Sequence, residues 1–322
     1  MNRKSLVWKL PLLLFLIVGT LFIARQQRQA AAQASYQHNE GFVFGTIYSL
    51  TYQSDRDLHE EVEKGLSQVD REFSMFNEES TVAAINRGEN PERSPMFQEV
   101  FNLAQQVNAD TDGAFDITVA PLVNAWGFGF KNEQMPTAEQ VDSLLHIRTQ
   151  MDFSAIAKGY GCDVAAGILQ SLGVSNYMVE IGGEVVTRGC NPQQQPWKIG
   201  ITKPTEDSLS MNGELQAILP VNEAAMATSG NYRNFYYKDG RKYAHTIDPR
   251  TGYPVQHELL SATVLANRCA VADAYATSFM VLGLEKAKEV LTRHPSMKAY
   301  FIYTDSLGQL AVWQSPGLNA DL

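Results

Sequence analysis

Cysteine is scarce in this 322-residue chain. It has three, Cys162, Cys190 and Cys269, with no C-x-x-C spacing among them. Zinc sites and dithiol redox motifs rely on such spacing, and a small odd count does not make a disulfide framework, so neither is expected. Clustered basic charge is scarce too. The formal net charge is −9, and no basic stripe appears beyond the first 28 residues. Phosphate-backbone binding needs grouped Lys and Arg, which argues against a nucleic-acid partner. Nothing repeats at a fixed period, and no low-complexity tract follows residue 35. What the chain does have is length and apolar content, 44% hydrophobic residues, enough for a substantial core in one large domain or two small ones.

One long apolar run exists, at the N-terminus. Asn2-Arg3-Lys4 is a basic start, and residues 10–24 are uncharged and nearly all apolar. With Leu6-Val7-Trp8 included, the run approaches the ~20 residues that cross a bilayer. Arg25 and Arg28 follow directly, which suits an uncleaved anchor over residues 1–28. A cleaved export signal ending near Ala32-Gln33-Ala34 is the alternative. No cysteine follows the run, so lipid anchoring is not available. The expectation is a single inner-membrane anchor with the rest of the chain on the extracytoplasmic, periplasmic side. Residues 29–40 read as a polar linker, and residues 41–322 as the folded domain.

Within that domain, residues 42–52 alternate and are rich in β-formers, which predicts a strand. Leu58, Val62, Leu66, Val69 and Phe73 recur at helical spacing. Ser94-Pro95 opens a second helix, and Thr137 with Gln140 is a capping box opening a third. Residues 112–129, which include Gly113, Trp126 and Phe128, lose helical periodicity and read as a loop held against a flat ring or against ordinary aromatic packing. Residues 151–172 run from a strand-like start into a helix stopped at Gly173, and a small-residue helix entry favours anions. Residues 177–181 are a strand ending in Gly182-Gly183, where a backbone can approach a ligand closely. Thr228 and Ser229 read as a hydroxyl-rich turn. Two strand-like segments then flank Asp239-Gly240, a hairpin signal, and lead to His245 and Asp248. Asp273 and Thr277 stand at i and i+4, so both oxygens share one helix face. That pair can share a hard cation such as Mg²⁺, or simply a local hydrogen bond.

Taken together and in order, these pieces resemble one family, the ApbE-type FAD:protein FMN transferases. The resemblance is carried by Gly45-Thr46, Ser74-Met75-Phe76, Gly113-Ala114-Phe115-Asp116, the run from Asp152 to Asp163 and Gly182-Gly183. It continues through Thr228 to Arg233, through His245-Thr246-Ile247-Asp248-Pro249-Arg250-Thr251-Gly252 and through Ala272 to Thr277. It covers about residue 41 to the C-terminus.

The resemblance implies an α+β fold of antiparallel sheets flanked by helices, with two lobes around an FAD cleft. It implies cleavage of FAD at its pyrophosphate, transfer of FMN to a Thr or Ser hydroxyl of an acceptor protein, release of AMP, and a requirement for Mg²⁺. The implied acceptors are membrane redox subunits with a short motif ending in Gly-Ala-Thr or similar. Family FAD contacts map onto Phe44, Phe76, Ala114, Phe115, Asp116, Asp152, Lys158 and Ile247. The chain departs from the pattern at Phe44, commonly Met, at Phe76, often Tyr, and at Lys158, which some members replace by Glu. Asp273 and Thr277, with a backbone carbonyl near Ala155 or Ala276, are the implied metal ligands. A hydroxyl attacking a pyrophosphate needs charge neutralisation and a proton acceptor. His245, with an unperturbed pKa near ~6.5, suits the latter role, and Asp248 can serve instead or orient it. An Mg²⁺-dependent FAD pyrophosphatase and a non-catalytic FAD-binding protein are the other classes this residue set admits.

Overall fold

The computed structural model describes residues 35–129, 135–147, 149–204, 214–231, 235–238, 241–318 and 320. The anchor expected over residues 1–28 and the Asp239-Gly240 turn lie outside the described residues. Among the described residues no helix is long and apolar enough to cross a membrane.

The chain begins with an antiparallel pair, β1 (Tyr36–Val43) and β2 (Thr46–Gln53), where one strand over residues 42–52 was expected. The break falls at Phe44 and Gly45, with φ of 52° and 74°, a left-handed turn that a continuous strand cannot contain. Residues 36–40 of the segment expected as linker are part of β1, and residues 29–34 of it lie outside the described residues. Helix α1 (His59–Phe73) follows and buries Val62, Leu66, Val69 and Phe73 on one face. Then come α2 (Thr81–Asn86) and α3 (Pro95–Asp110), the latter capped by Ser94 Oγ accepting from the Phe97 N–H. The segment read as a loop over residues 112–129 instead contains a 3₁₀ turn (Ile117–Val119) and a short helix, α4 (Ala120–Ala125), opened by Pro121. Six residues are too few to show a helical period. Helix α5 (Ala138–Leu145) carries the expected Thr137–Gln140 capping box.

Helix α6 (Ala157–Ser171) leads to β3 (Tyr177–Ile181), β4 (Glu184–Arg188), β5 (Lys198–Thr202) and β6 (Leu215–Pro220). Strands β7 (Ala224–Gly230), β8 (Phe235–Lys238), β9 (Arg241–Ala244) and β10 (Leu259–Ala266) precede helices α7 (Cys269–Leu282) and α8 (Leu284–Arg293). Strands β11 (Lys298–Thr304) and β12 (Leu310–Gln314) close the chain. Thr228 and Ser229, expected in a turn, are strand residues of β7.

Among the described residues the main sheet has eight strands in the order β1-β2-β3-β4-β7-β10-β11-β12, every neighbouring pair antiparallel. β5–β6 and β8–β9 form separate two-stranded ribbons. Alternation sends Tyr177, Val179 and Ile181 of β3 into the principal core, which also holds α1, α6 and α7. Helix α7 is buried nearly all round, which explains its weak amphipathic pattern. Its first N–H groups have no local cap. Asp163 of α6 supplies one, accepting from Cys269 N at 2.7 Å and Ala270 N at 3.1 Å. A separate small core of Leu122, Trp126, Val141 and Ile247 sits in a second lobe. There Trp126 Nε1 donates to the Gly252 carbonyl at 2.7 Å and its ring stacks on Tyr243, so this tryptophan is packing material for the lobe.

Candidate functional site

A cavity of about 970 Å³ lies between the principal core and the second lobe. Phe76, Ala114, Phe115, Asp116, Asp152, Ala155, Lys158, His245, Ile247, Asp273 and Thr277 all line it. Eleven of the fourteen residues singled out from sequence thus meet in one space, although they come from distant parts of the chain.

Three do not line it. Phe44 is buried at 8% exposure, and its ring packs where a side chain on Gly161 of α6 would fall, so its left-handed backbone turns it into the core. Ala276 is fully buried within α7. Asp248 is engaged by its neighbour: Arg250 Nε donates to Oδ1 and Nη2 to Oδ2, both at 2.8 Å. This bidentate pair occupies both carboxylate oxygens, and the carboxylate in turn raises the Arg250 pKa. Asp248 therefore shapes the 248–252 turn and does not line the cavity. His245 follows β9 and lines the cavity, with its ring edge-on to Phe128 at 6.4 Å.

The charged end of the cavity is built by α6, α7 and the β3–β4 turn. Lys158 Nζ lies 3.0 Å from Glu184 Oε2 and 3.8 Å from Asp273 Oδ1. Asp273 Oδ2 accepts the Gly159 N–H at 3.0 Å. Burial pulls the Lys158 pKa down, but the Asp273 and Glu184 carboxylates outweigh it and hold the ammonium above its ordinary range. Burial pushes the Glu184 carboxyl up to about 7 despite Lys158, with Asp273 repelling it further. Asp273 is raised by the same burial, against Lys158 and the Gly159 hydrogen bond. Glu184 was not singled out from sequence. Its signal was a charged residue opening a strand of otherwise buried pattern, immediately after Gly182-Gly183.

The helices can approach this closely because residue 159 is glycine: a Cβ there would strike the Cys269 carbonyl and come within 2.8 Å of Asp273 Cβ. The Gly182-Gly183 turn, with φ of 61° and 104°, brings backbone to the same end. Thr277 Oγ1 lies 3.0 Å from Ser229 Oγ, tying α7 to β7. A hard cation would find the Asp273 carboxylate and the Thr277 hydroxyl here, with the Ala155 segment lining the same cavity. Among the described residues no group of three His, Cys, Asp or Glu converges on a point. The donor set fits an oxygen-liganded cation that keeps much of its water, and does not fit a thiolate or imidazole metal.

The ApbE family model matches residues 44–301. The FAD:protein FMN transferase of Haemophilus influenzae is 36% identical, over 90% of this chain and 94% of that protein. The Escherichia coli protein of the same name is 33% identical, over 88% of each. Among solved structures, the flavin transferase ApbE from Vibrio cholerae superposes with a TM-score of 0.78 at 32% identity, covering 88% of this chain and 98% of that one. The apo Pseudomonas stutzeri flavinyl transferase ApbE superposes with a TM-score of 0.75 at 32% identity.

Proposed function

The chain belongs to the ApbE family, and we propose that it is an FAD:protein FMN transferase. The observation that carries the reading is the convergence of the Ala114–Asp116 segment, Asp152, Lys158, His245, Asp273 and Thr277 on one cavity. The cavity is large enough for an extended dinucleotide and gathers one ammonium and two carboxylates, Lys158, Glu184 and Asp273, at one end.

The reaction is a phosphoryl transfer. The oxygen of an acceptor Thr or Ser attacks the FMN-side phosphorus of FAD. A phosphoester bond forms, the phosphoanhydride bond breaks, AMP leaves with the bridging oxygen, and the hydroxyl proton passes to a base. His245 is the cavity-lining group suited to accept that proton near neutral pH. Lys158 places a positive charge beside the pyrophosphate, and Gly182-Gly183 allow backbone to approach it. Phe76 and Phe115 offer apolar surface to the isoalloxazine. Asp273, Thr277 and the Ala155 carbonyl would hold Mg²⁺, which supplies charge neutralisation to the pyrophosphate when bound. The segment over residues 10–24 would anchor the enzyme in the inner membrane with the domain outside, facing membrane redox subunits as acceptors.

The test is incubation of the full chain with FAD, Mg²⁺ and an acceptor domain carrying a Gly-Ala-Thr segment, read by in-gel flavin fluorescence. Fluorescence on the acceptor band is expected. Release of free FMN and AMP with no labelled acceptor would replace the reading by an FAD pyrophosphatase. Intact-mass measurement of membrane-extracted protein tests the anchor, and a mature N-terminus near Ser35 would overturn it.

A further inference from the structure

We propose that Glu184 is a positioning residue: it draws the Lys158 ammonium off Asp273 and so keeps the Asp273 carboxylate open for a divalent cation. The proposal rests on the cation site of the transferase reading above and deepens it.

Three features fix the path of Lys158. Its backbone lies in the first turn of α6, one residue before Gly159, whose N–H is held by Asp273 Oδ2 at 3.0 Å. Its stem crosses the β3–β4 turn at Gly182, where an added Cβ would come within 3.3 Å of Lys158 Cδ. Its ammonium then ends 3.0 Å from Glu184 Oε2 and 3.8 Å from Asp273 Oδ1. The first is a close ion pair. The second is longer than a charge-assisted hydrogen bond, about 2.7–2.9 Å.

Glu184 is the more firmly held of the two partners. Its backbone pairs with Ile181 across the hairpin, and its carbonyl accepts the Cys162 thiol at 3.2 Å. Its side chain is 4% exposed, against 28% for Lys158. Among the described residues Lys158 is the one cation paired with this carboxylate, and its Oε2 makes no hydrogen bond. A buried carboxylate with a single partner holds that partner strongly, because an unpaired charge there is costly. The flexible lysine stem therefore follows the fixed acid.

The consequence falls on Asp273. Its Oδ2 is taken by the Gly159 N–H, which leaves Oδ1 to meet a cation, and Thr277 stands one helical turn further along α7. A Mg²⁺ ion binds a carboxylate oxygen at about 2.0–2.1 Å and keeps several waters around itself. An ammonium hydrogen-bonded to Oδ1 would fill that space, and at 3.8 Å it does not. Without the Glu184 charge, Asp273 is the remaining carboxylate paired with Lys158. A shift of about 1 Å would then bring the ammonium within hydrogen-bond range of Oδ1. With Glu184 in place, the lysine and the divalent cation have separate carboxylates, and a pyrophosphate can meet both charges.

The experiment titrates Mn²⁺ into the FAD-free full chain at about pH 8, read by loss of the free-ion electron paramagnetic resonance signal, and compares crystal structures of wild type and variant. Glu184→Gln should weaken Mn²⁺ binding roughly fivefold or more, and its structure should show Lys158 Nζ hydrogen-bonded to Asp273 Oδ1. Adding Lys158→Met should return the affinity to within about twofold of wild type, since the double variant has the same formal charge as the wild-type trio and no ammonium to occupy Oδ1. A loss that Lys158→Met does not rescue would make Glu184 a direct ligand of the ion and overturn the proposal. So would undiminished affinity in Glu184→Gln, or a Lys158 that stays away from Asp273 in its structure. A wild-type chain that takes up no Mn²⁺ would overturn the cation site and the proposal with it. No acceptor is present, so failure of the transferase reading shows in the labelling assay and failure of this proposal shows here.

Discussion

The Lys158 ammonium, on α6, lies 3.0 Å from the Glu184 carboxylate, which opens β4, and both line the cavity. With Asp273 at 3.8 Å on the other side, one cation serves two buried carboxylates. One ammonium cannot balance both carboxylates when both are ionised, and burial accordingly holds both acids above their ordinary pKa. Such an arrangement is costly in a resting protein and useful where a cation and a pyrophosphate must later be accommodated.

The first expected outcome concerns Asp273. Asp273→Ala removes the charged member of the hard-oxygen set while leaving the apolar surface of Phe76 and Phe115. Electrostatic elements of this kind contribute about 2.7–4 kcal/mol to a transition state, or roughly a hundred- to thousandfold in rate. Flavin transfer should fall by that much and lose its response to added Mg²⁺, while FAD titration changes far less. Transfer near the wild-type rate would sink the metal assignment and leave Lys158 to activate the pyrophosphate alone.

The second concerns pH. The Glu184 carboxyl is raised from 4.5 to about 7 in the folded protein, with burial as the largest cause. For a raised acid the favourable contribution is full below the unfolded value and is lost as pH rises through the folded one. Glu184→Gln should thus match the wild-type melting temperature near pH 4 and exceed it above pH 7, measured with chelator and without FAD. A mutant less stable than wild type at about pH 8 would mean that the Lys158 pairing outweighs the cost of burial.

Much of this site was legible because its chemistry lies in short contiguous runs. Gly113 to Asp116, Asp152 to Lys158 and His245 to Ile247 each keep their neighbours in the fold, so a reading along the chain found them. What the reading along the chain did not show depended on which partner a side chain meets in the fold, near or remote in sequence, and on backbone sign. Asp248 was read with His245, yet Arg250, two residues on, holds it by a bidentate pair that spacing alone does not reveal. Phe44 was read as facing a ligand, and its positive φ turns it inward. Glu184 went unnoticed because its meaning comes from Lys158, twenty-six residues earlier. Strand and helix periods located many of the elements, while the α+β class with antiparallel sheets came from the family resemblance. The order of the eight strands was readable from neither, since β7 must enter between β4 and β10 past two separate ribbons.

The third expected outcome concerns a tie between α3 and α8. Tyr275 Oη donates to Asp110 Oδ2 at 2.8 Å, His294 Nε2 lies 2.8 Å from the same oxygen, and Arg293 Nη2 donates to the Asp110 carbonyl at 2.6 Å. Burial raises the Asp110 carboxyl, but the Tyr275 and His294 hydrogen bonds outweigh it and hold the pKa below its ordinary value. For a lowered acid, stability is present above the unfolded pKa, about 3.9, and is lost as pH falls through the folded value. Asp110→Asn should cost roughly 1–3 kcal/mol at neutral pH. Urea unfolding should show that gap closing below pH 4, and a constant gap at every pH would mean the loss is one of packing.

The last expected outcome separates two glycines on the same helix. A Cβ at Gly159 would strike the Cys269 carbonyl and lie 2.8 Å from Asp273 Cβ, whereas a Cβ at Gly167 meets nothing within 4 Å. Both residues belong to α6, where alanine is favoured over glycine by roughly 0.5–1 kcal/mol when space allows. Gly167→Ala should therefore raise stability by about that amount and leave transfer unchanged. In Gly159→Ala the same propensity gain meets a backbone carbonyl that cannot rotate away, so α6 and α7 must separate. Overpacking of this kind costs about 1–3 kcal/mol, which leaves a net loss. The separation also draws Asp273 from Lys158 and from the Gly159 N–H, so Gly159→Ala should lose its response to Mg²⁺ while still binding FAD. Thermal melts and Mg²⁺ titrations of both variants make the comparison. A Gly159→Ala protein as stable and as Mg²⁺-responsive as Gly167→Ala would show that the α6–α7 contact is slack and that the glycine is not what sets the Asp273 position.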